Sequence, residues 1–258
     1  MILDLWPHLL AAAQIIWINV ILSGDNAVVI ALACRGLPSK QRKWGMILGA
    51  GAAVLLRIFF TLIVVQLLAT PFLKLVGGVL LLWIAVKLIG EDEGDAKEDS
   101  IKASDRLTRA VWTVTVADAV MSLDNVLAIA GIAQNNQAML IFGLAVSIPL
   151  IVAGAGLIVT LLDRFPILVW AGAGLLGWVA AEMIVTDMIL LQWLQANYPS
   201  WLKAVPPEVN AFGYVPIGLI KYSAATIGVL FVLAMGYWLK KSRGEPLVEE
   251  GHPEQEPR

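Results

Sequence analysis

Seven stretches of the chain are apolar for long enough to cross a bilayer, which takes about 20 residues per helix. In lipid, every backbone N–H and C=O must find its partner within the segment, so an isolated apolar stretch of this length must be a helix. The stretches place helices near 8–34, 43–69, 71–90, 109–133, 138–161, 166–190 and 213–239. Polar punctuation separates them. Arg35-Gly36-Leu37-Pro38-Ser39-Lys40 closes the first, Thr70-Pro71 the second and the acidic run from Glu91 to Asp105 the third. Gln134-Asn135-Asn136-Gln137, Asp163-Arg164-Phe165-Pro166 and the segment from Asn197 to Asn210 follow the fourth, fifth and sixth. The expected class is an all-α polytopic membrane protein with seven transmembrane helices.

Composition agrees and excludes several functions. Of 258 residues, 59% are hydrophobic and 15% charged, against about 45–50% and about 25% in soluble domains. A soluble enzyme and a disordered chain are both excluded. The net charge is −2 and no basic run occurs, so nucleic acid is not an expected partner and the lipid bilayer is. Cys34 is the sole cysteine, while His8 and His252 lie near the two ends. Thiolate and imidazole metal sites are therefore unavailable, and any chemistry falls to carboxylates, amides, hydroxyls and a few cations. No enzymatic activity and no bound cofactor are expected.

Lys and Arg concentrate in alternate connections, which sets orientation. Arg35, Lys40, Arg42 and Lys43, then Lys97, Lys102, Arg106 and Arg109, then Arg164, then Lys240, Lys241 and Arg243 fall on one side if the N-terminus is outside. The other side holds little beyond Lys74 and Lys203. The N-terminus is thus expected outside and the C-terminus inside. Met1-Ile2-Leu3-Asp4 lacks the basic start of a cleaved signal peptide. Residues 240–258 read as a disordered cytoplasmic tail.

The chain also matches itself. Leu22-Ser23-Gly24-Asp25-Asn26-Ala27-Val28 returns 99 residues on as Met121-Ser122-Leu123-Asp124-Asn125-Val126-Leu127. Pro71, Gly77 and Leu80-Leu81-Leu82-Trp83-Ile84-Ala85 return 95 residues on as Pro166, Gly172 and Leu175-Leu176-Gly177-Trp178-Val179-Ala180. Residues 8–90 form one three-helix repeat and 109–190 the other, joined by an acidic cytoplasmic loop over 91–108 and followed by a seventh helix at 213–239. Three is odd, so the copies cross the membrane in opposite senses. Inverted repeats of this kind characterise secondary transporters, with the site near the midplane.

Ionisable residues inside the apolar spans sharpen that expectation. A charge at a helix centre costs about 2.5–3.5 kcal/mol, so those retained usually mark ion paths or relays. Asp25, Asp118 and Asp124 lie inside spans, and less centrally so do Arg57, Lys87, Glu182 and Lys221. The plain alternative is that the carboxylates pair with Arg57, Lys87 or Lys221 as packing. A Lys87–Glu182 pair is expected in particular, because the two occupy equivalent places in the repeats. Each of Asp25 and Asp124 is followed by Asn and preceded two residues earlier by Ser, and six residues before them stand Asn19 and Asp118. The candidate ligand set is Asp25, Asn26, Asn19 and Ser23 from one copy with Asp118, Ser122, Asp124 and Asn125 from the other. Oxygen-only donors suit magnesium, calcium and manganese rather than copper or zinc.

Helical geometry qualifies that cluster. At about 100° per residue, Asp118, Ser122 and Asn125 share a face, while Asp124 lies about 240° from Asp118. Either the helix unwinds there or the two acids serve successive positions. Gly24 would ease unwinding in the first copy; Leu123 gives less support in the second. Gly45, Gly49, Gly172 and Gly174 read as internal helix contacts. Trp170, Trp178, Trp193, Trp201 and Tyr214 read as interfacial anchors.

The twin Ser-x-Asp-Asn pattern around Asp25 and Asp124, with Asp118 upstream of the second, resembles the TerC family of integral membrane proteins, closest to its short bacterial branch with YjbE-like members. The likeness covers about residues 8 to 239. It implies membership of the broader LysE-like exporter group and a multi-pass place in the bacterial inner membrane. It further implies efflux of a divalent metal ion, manganese first, with Asp25, Asn26, Asp118, Asp124 and Asn125 carried over as ligands of the transported Mn²⁺. The first copy has Asn19 where the second has Asp118, so the half-sites are not equivalent. An exporter of a small organic solute is the nearest alternative, and an intramembrane aspartyl protease using Asp25 and Asp124 a more distant one. A homo-oligomer is compatible with all three.

Overall fold

The computed structural model describes residues 24–63, 70–90, 103–133, 137–206, 210 and 212–243, although not the side chains of 61, 62, 103, 104, 123–145 and 147. Each expected apolar block contains a helix. In chain order these are α1 (Gly24–Cys34), α2 (Ser39–Leu62), α3 (Leu73–Gly90), α4 (Ala103–Ala133), α5 (Gln137–Arg164) and α6 (Ile167–Val185), then the short α7 (Met188–Asn197) and finally α8 (Gly218–Arg243). Among the described residues, four segments, Ser39–Phe60, Leu73–Gly90, Ile167–Val185 and Gly218–Arg243, are long and apolar enough to cross a membrane by length and composition. Large apolar side chains such as Leu55, Trp112, Leu157, Leu219 and Ile227 are exposed around the bundle. A belt of that kind suits lipid rather than water.

Contacts between α1–α3 and α4–α6 come in matched pairs. α2 packs on α4 as α5 packs on α1, and α3 meets α4 as α6 meets α1. Each helix also touches its own counterpart: α1 with α4, α2 with α5 and α3 with α6. α8 lies mainly along α6 and reaches α3.

Small residues make these approaches possible, as expected where van der Waals packing drives helix association. Gly45 fits under Cys34, Leu37 and Leu107, and Gly49 under Val114. Gly77 lies against Val120 and Met183, and Gly172 against Val28 and Leu32. Gly174 faces Val229 and Leu233 of α8. The glycines singled out in the sequence are thus internal contacts. The central core is formed by residues such as Ala31, Leu81, Ala85, Ala117, Leu176 and Ala180.

Polar ties mark the two ends. At one, Arg42 donates to Asp163 at 2.6 Å and to the carbonyl of Arg35, while Arg35 reaches the carbonyl of Leu88. Arg243 there donates to the carbonyl of Gly90 at 3.0 Å. At the other end, Asp187 accepts the backbone N–H of Leu75.

That second tie corrects the expected helix over 166–190. The chain leaves the helix at Thr186, and Asp187 adopts extended backbone with its side chain accepting the N–H of Ile189, so a new helix starts at Met188. Aspartate at such a position satisfies an otherwise orphaned first-turn amide. The connection expected over 197–210 likewise carries structure. A 3₁₀ turn, Pro199–Trp201, leads into β1 (Leu202–Ala204), which pairs antiparallel with β2 (Tyr214–Pro216), Lys203 opposite Val215. Gly213 turns with φ +77° immediately before β2. The 91–102 part of the acidic loop and the tail beyond 243 lie outside the described residues.

Candidate functional site

α1, α2 and α4 bring Asp25, Arg57 and Asp118 together. Asp25 and Asn26 stand in the first turn of α1 as described, where Asp25 Oδ1 accepts the backbone N–H of Asn26 at 2.9 Å. Arg57 comes from the later half of α2, and Asp118 and Ser122 are one turn apart on α4. The i, i+4 spacing puts those two on one face, as the sequence predicted.

Arg57 joins the helices. Its Nη2 donates to Asp118 Oδ1 at 2.8 Å and its Nε to Ser122 Oγ at 3.1 Å. Ser122 Oγ in turn donates to Asp118 Oδ2 at 2.9 Å. Both carboxylate oxygens of Asp118 are engaged, and the ion pair is sealed, with side chains 1% and 5% exposed. Asp25 lies within electrostatic reach of both Arg57 and Asp118.

Asn26 is buried, and neither its Oδ1 nor its Nδ2 finds a hydrogen-bond partner among the described residues. Buried amide groups are nearly always paired, and each unpaired polar atom costs about 1–3 kcal/mol. A carbonyl oxygen held bare next to a carboxylate is a suitable ligand for a hard cation.

Of the predicted site residues, Asp118 and Ser122 are thus bonded to each other, Asp25 lies within electrostatic reach of Asp118, and Asn26 follows Asp25 in α1. Asn19 and Ser23 lie outside the described residues, as do the side chains of Asp124 and Asn125. The backbone of α4 is nonetheless helical from Ala103 to Ala133. No unwinding occurs at Leu123, and positions 118 and 124 stay about 240° apart around the axis. Among the described residues, no group of three Asp, Glu, His or Cys side chains is disposed to hold a metal ion. A cation site here would draw on amide, hydroxyl and carbonyl oxygens as well as carboxylates.

The sequence reading missed the position of Arg57 in this site, naming it only as a packing partner. Its place within an apolar span was the available signal. The expected Lys87–Glu182 pair is corrected. Glu182 instead takes Lys221 of α8 at 3.2 Å and the indole N–H of Trp178 at 2.9 Å. Lys87 lies over the ring of Trp83, 5.4 Å from its centre. Lys87 and Glu182 end equivalent helices at opposite ends of the bundle, so equivalence in the repeat keeps them apart. Trp178 is therefore a hydrogen-bond donor to Glu182 as well as an aromatic body.

Comparison with known proteins gives these residues a setting. Among the similar proteins are YjbE and YceF of Bacillus subtilis (strain 168), both named uncharacterized membrane proteins. YjbE is 46% identical over 180 residues, covering 70% of this chain and 81% of its own length. YceF is 30% identical over 172 residues, 63% of this chain and 66% of its own. The UPF0053 inner membrane protein YgdQ of Escherichia coli (strain K12) is 26% identical over 142 residues, 49% of this chain and 60% of its own. No solved structure matches. The model of the integral membrane protein TerC family matches residues 5–244, a range that contains every helix and every site residue described above. With that coverage and the relatives it brings, the chain belongs to the TerC family of integral membrane proteins.

Proposed function

We propose that the chain is a secondary transporter that exports divalent metal cations, manganese first, by alternating access around its paired Asp–Asn motifs. One observation carries the reading: Asn26 is buried with both side-chain polar atoms unpaired among the described residues, directly after Asp25, which lies within electrostatic reach of Arg57 and Asp118. Packing alone would leave no reason to retain a bare amide between apolar helices, whereas a transported cation would use its oxygen. Oxygen donors favour Mn²⁺, Mg²⁺ or Ca²⁺, and the carboxylates make protons the coupling ion to test. The reading assigns no enzymatic activity and no resident cofactor; the metal is cargo.

The matched contacts between α1–α3 and α4–α6 support two inverted three-helix repeats that rock about the site. Seven spans with the N-terminus outside and the C-terminus inside a bacterial inner membrane fit this arrangement. In support, the ties of Arg35, Arg42 and Arg243 gather the basic connections at one end. A small organic solute is a weaker cargo, because Arg57 would have to leave Asp118 to meet a solute carboxylate.

The test is flux through the full chain in proteoliposomes loaded with Mn²⁺, Mg²⁺ or Ca²⁺, with and without a pH gradient. Wild type should move Mn²⁺ and respond to the gradient, while Asp25→Ala and Asp124→Ala should not move it. Wild-type flux by both variants would overturn the site, and flux of lysine or arginine without metal would favour the organic-solute reading. Cells lacking the protein should accumulate manganese.

A further inference from the structure

An exporter that releases its cargo must bring an empty site back, and two carboxylates without a counter-ion are strongly disfavoured inside a bilayer. Arg57 meets that need from within the chain. It is sealed from the surroundings, and it bonds to both Asp118 and Ser122 on α4. The contact therefore ties α2, from one set of three helices, to α4 from the other. A buried ion pair is in itself a poor source of stability, since apolar residues of similar volume often do as well. Its place within electrostatic reach of Asp25, the residue before the unpaired Asn26, points to use.

We propose that Arg57 is a tethered counter-cation that holds Asp118 while the site is empty and yields it when the transported cation arrives. This rests on the transport reading above and adds the device that lets the empty site return. A divalent ion entering beside Asp25 repels the guanidinium and attracts the Asp118 carboxylate. At low dielectric, two cations compete for one carboxylate. Loading thus opens the α2–α4 tie, and unloading closes it again. Arg57 acts through Asp118 and is a positioning residue. The Glu182–Lys221 pair, by contrast, is partly exposed and joins α6 to α8.

The test compares wild type, Arg57→Gln and Arg57→Lys, as full chains, for Mn²⁺ binding in detergent and for two modes of flux in proteoliposomes. One mode is exchange of Mn²⁺ for Mn²⁺, which needs no empty return; the other is net efflux, which does. Arg57→Gln should tighten Mn²⁺ binding about tenfold, the scale of a strong site-to-site coupling, keep exchange and lose net efflux. Arg57→Lys retains the charge on a different reach and should recover part of the net efflux. Should Arg57→Gln fail to fold, Arg57→Lys carries the test alone: tighter binding with net efflux slowed more than exchange supports the proposal. Unchanged or weaker binding, or equal loss of both modes, overturns it and makes Arg57 a packing residue. Wild type that neither binds nor moves a divalent cation would instead overturn the transport reading, and this inference with it.

Discussion

Asp187 accepts the backbone N–H of Leu75 at 3.1 Å, across 112 residues of sequence, while its other oxygen accepts the N–H of Ile189 at 2.9 Å. One buried carboxylate thereby serves the first turns of α3 and α7 and fastens one end of the bundle. Losing a helix cap costs about 1 kcal/mol, so Asp187→Ala, which strips two, should destabilise the protein by about 2–3 kcal/mol. Asp187→Asn keeps a single acceptor oxygen and should cost about half as much. Unfolding of the purified variants in detergent checks both, and an Asp187→Ala protein as stable as wild type would refute the double cap.

α8 approaches α6 through a pair of glycines. A methyl group at Gly228 would strike the carbonyl oxygen of Gly177 and lie 2.6 Å from Ala181 Cβ, and one at Gly177 would lie 2.7 Å from the carbonyl oxygen of Gly228. Overpacking of this kind costs about 1–3 kcal/mol, so Gly228→Ala should lower the unfolding temperature. At Gly156 in α5, by contrast, an added methyl would meet nothing within 4 Å. Gly156→Ala should therefore be neutral or stabilise by up to about 1 kcal/mol through helix propensity. Opposite signs for the two substitutions would establish the α6–α8 contact, and equal effects would argue against it.

Glu182 and Lys221 link the same two helices by charge. Reversing either alone puts like charges opposite each other, and Glu182→Lys or Lys221→Glu should each reduce stability. Combining the two reversals should recover most of the loss, with a coupling of about 1 kcal/mol in a double-mutant cycle. Additive losses would show that the 3.2 Å contact contributes nothing.

Much of this arrangement was legible in the sequence, for physical reasons that differ by element. Long apolar runs can only be helices, so every block between residues 24 and 243 was placed, and the face shared by Asp118 and Ser122 followed from helical period. The break at Asp187 was not, because Met188-Ile189-Leu190-Leu191 continues the apolar run and hides a change of direction that one capping side chain produces. An aspartate directly before an apolar run is an N-cap signature, and Asp92 stands 95 residues earlier at the offset of the second repeat match. Charge pairing was harder still. Repeat equivalence suggested Lys87 for Glu182, but the partner came from α8, outside both repeats. Sequence could name Arg57 as a cation in an apolar span, yet only packing of α2 on α4 selects Asp118 for it.

Asn26 separates stability from function most directly. Its amide is buried and makes no hydrogen bond among the described residues, so replacing it by Leu removes an unpaired polar group from an apolar setting. That change should stabilise the folded protein by about 1–3 kcal/mol. If the amide oxygen is a ligand for the transported cation, the same variant should lose most Mn²⁺ flux in proteoliposomes. Sites kept for function commonly trade stability in this way. A variant that is more stable and transports normally would remove Asn26 from the site, and one that is less stable would show that the amide is satisfied in the membrane by another route.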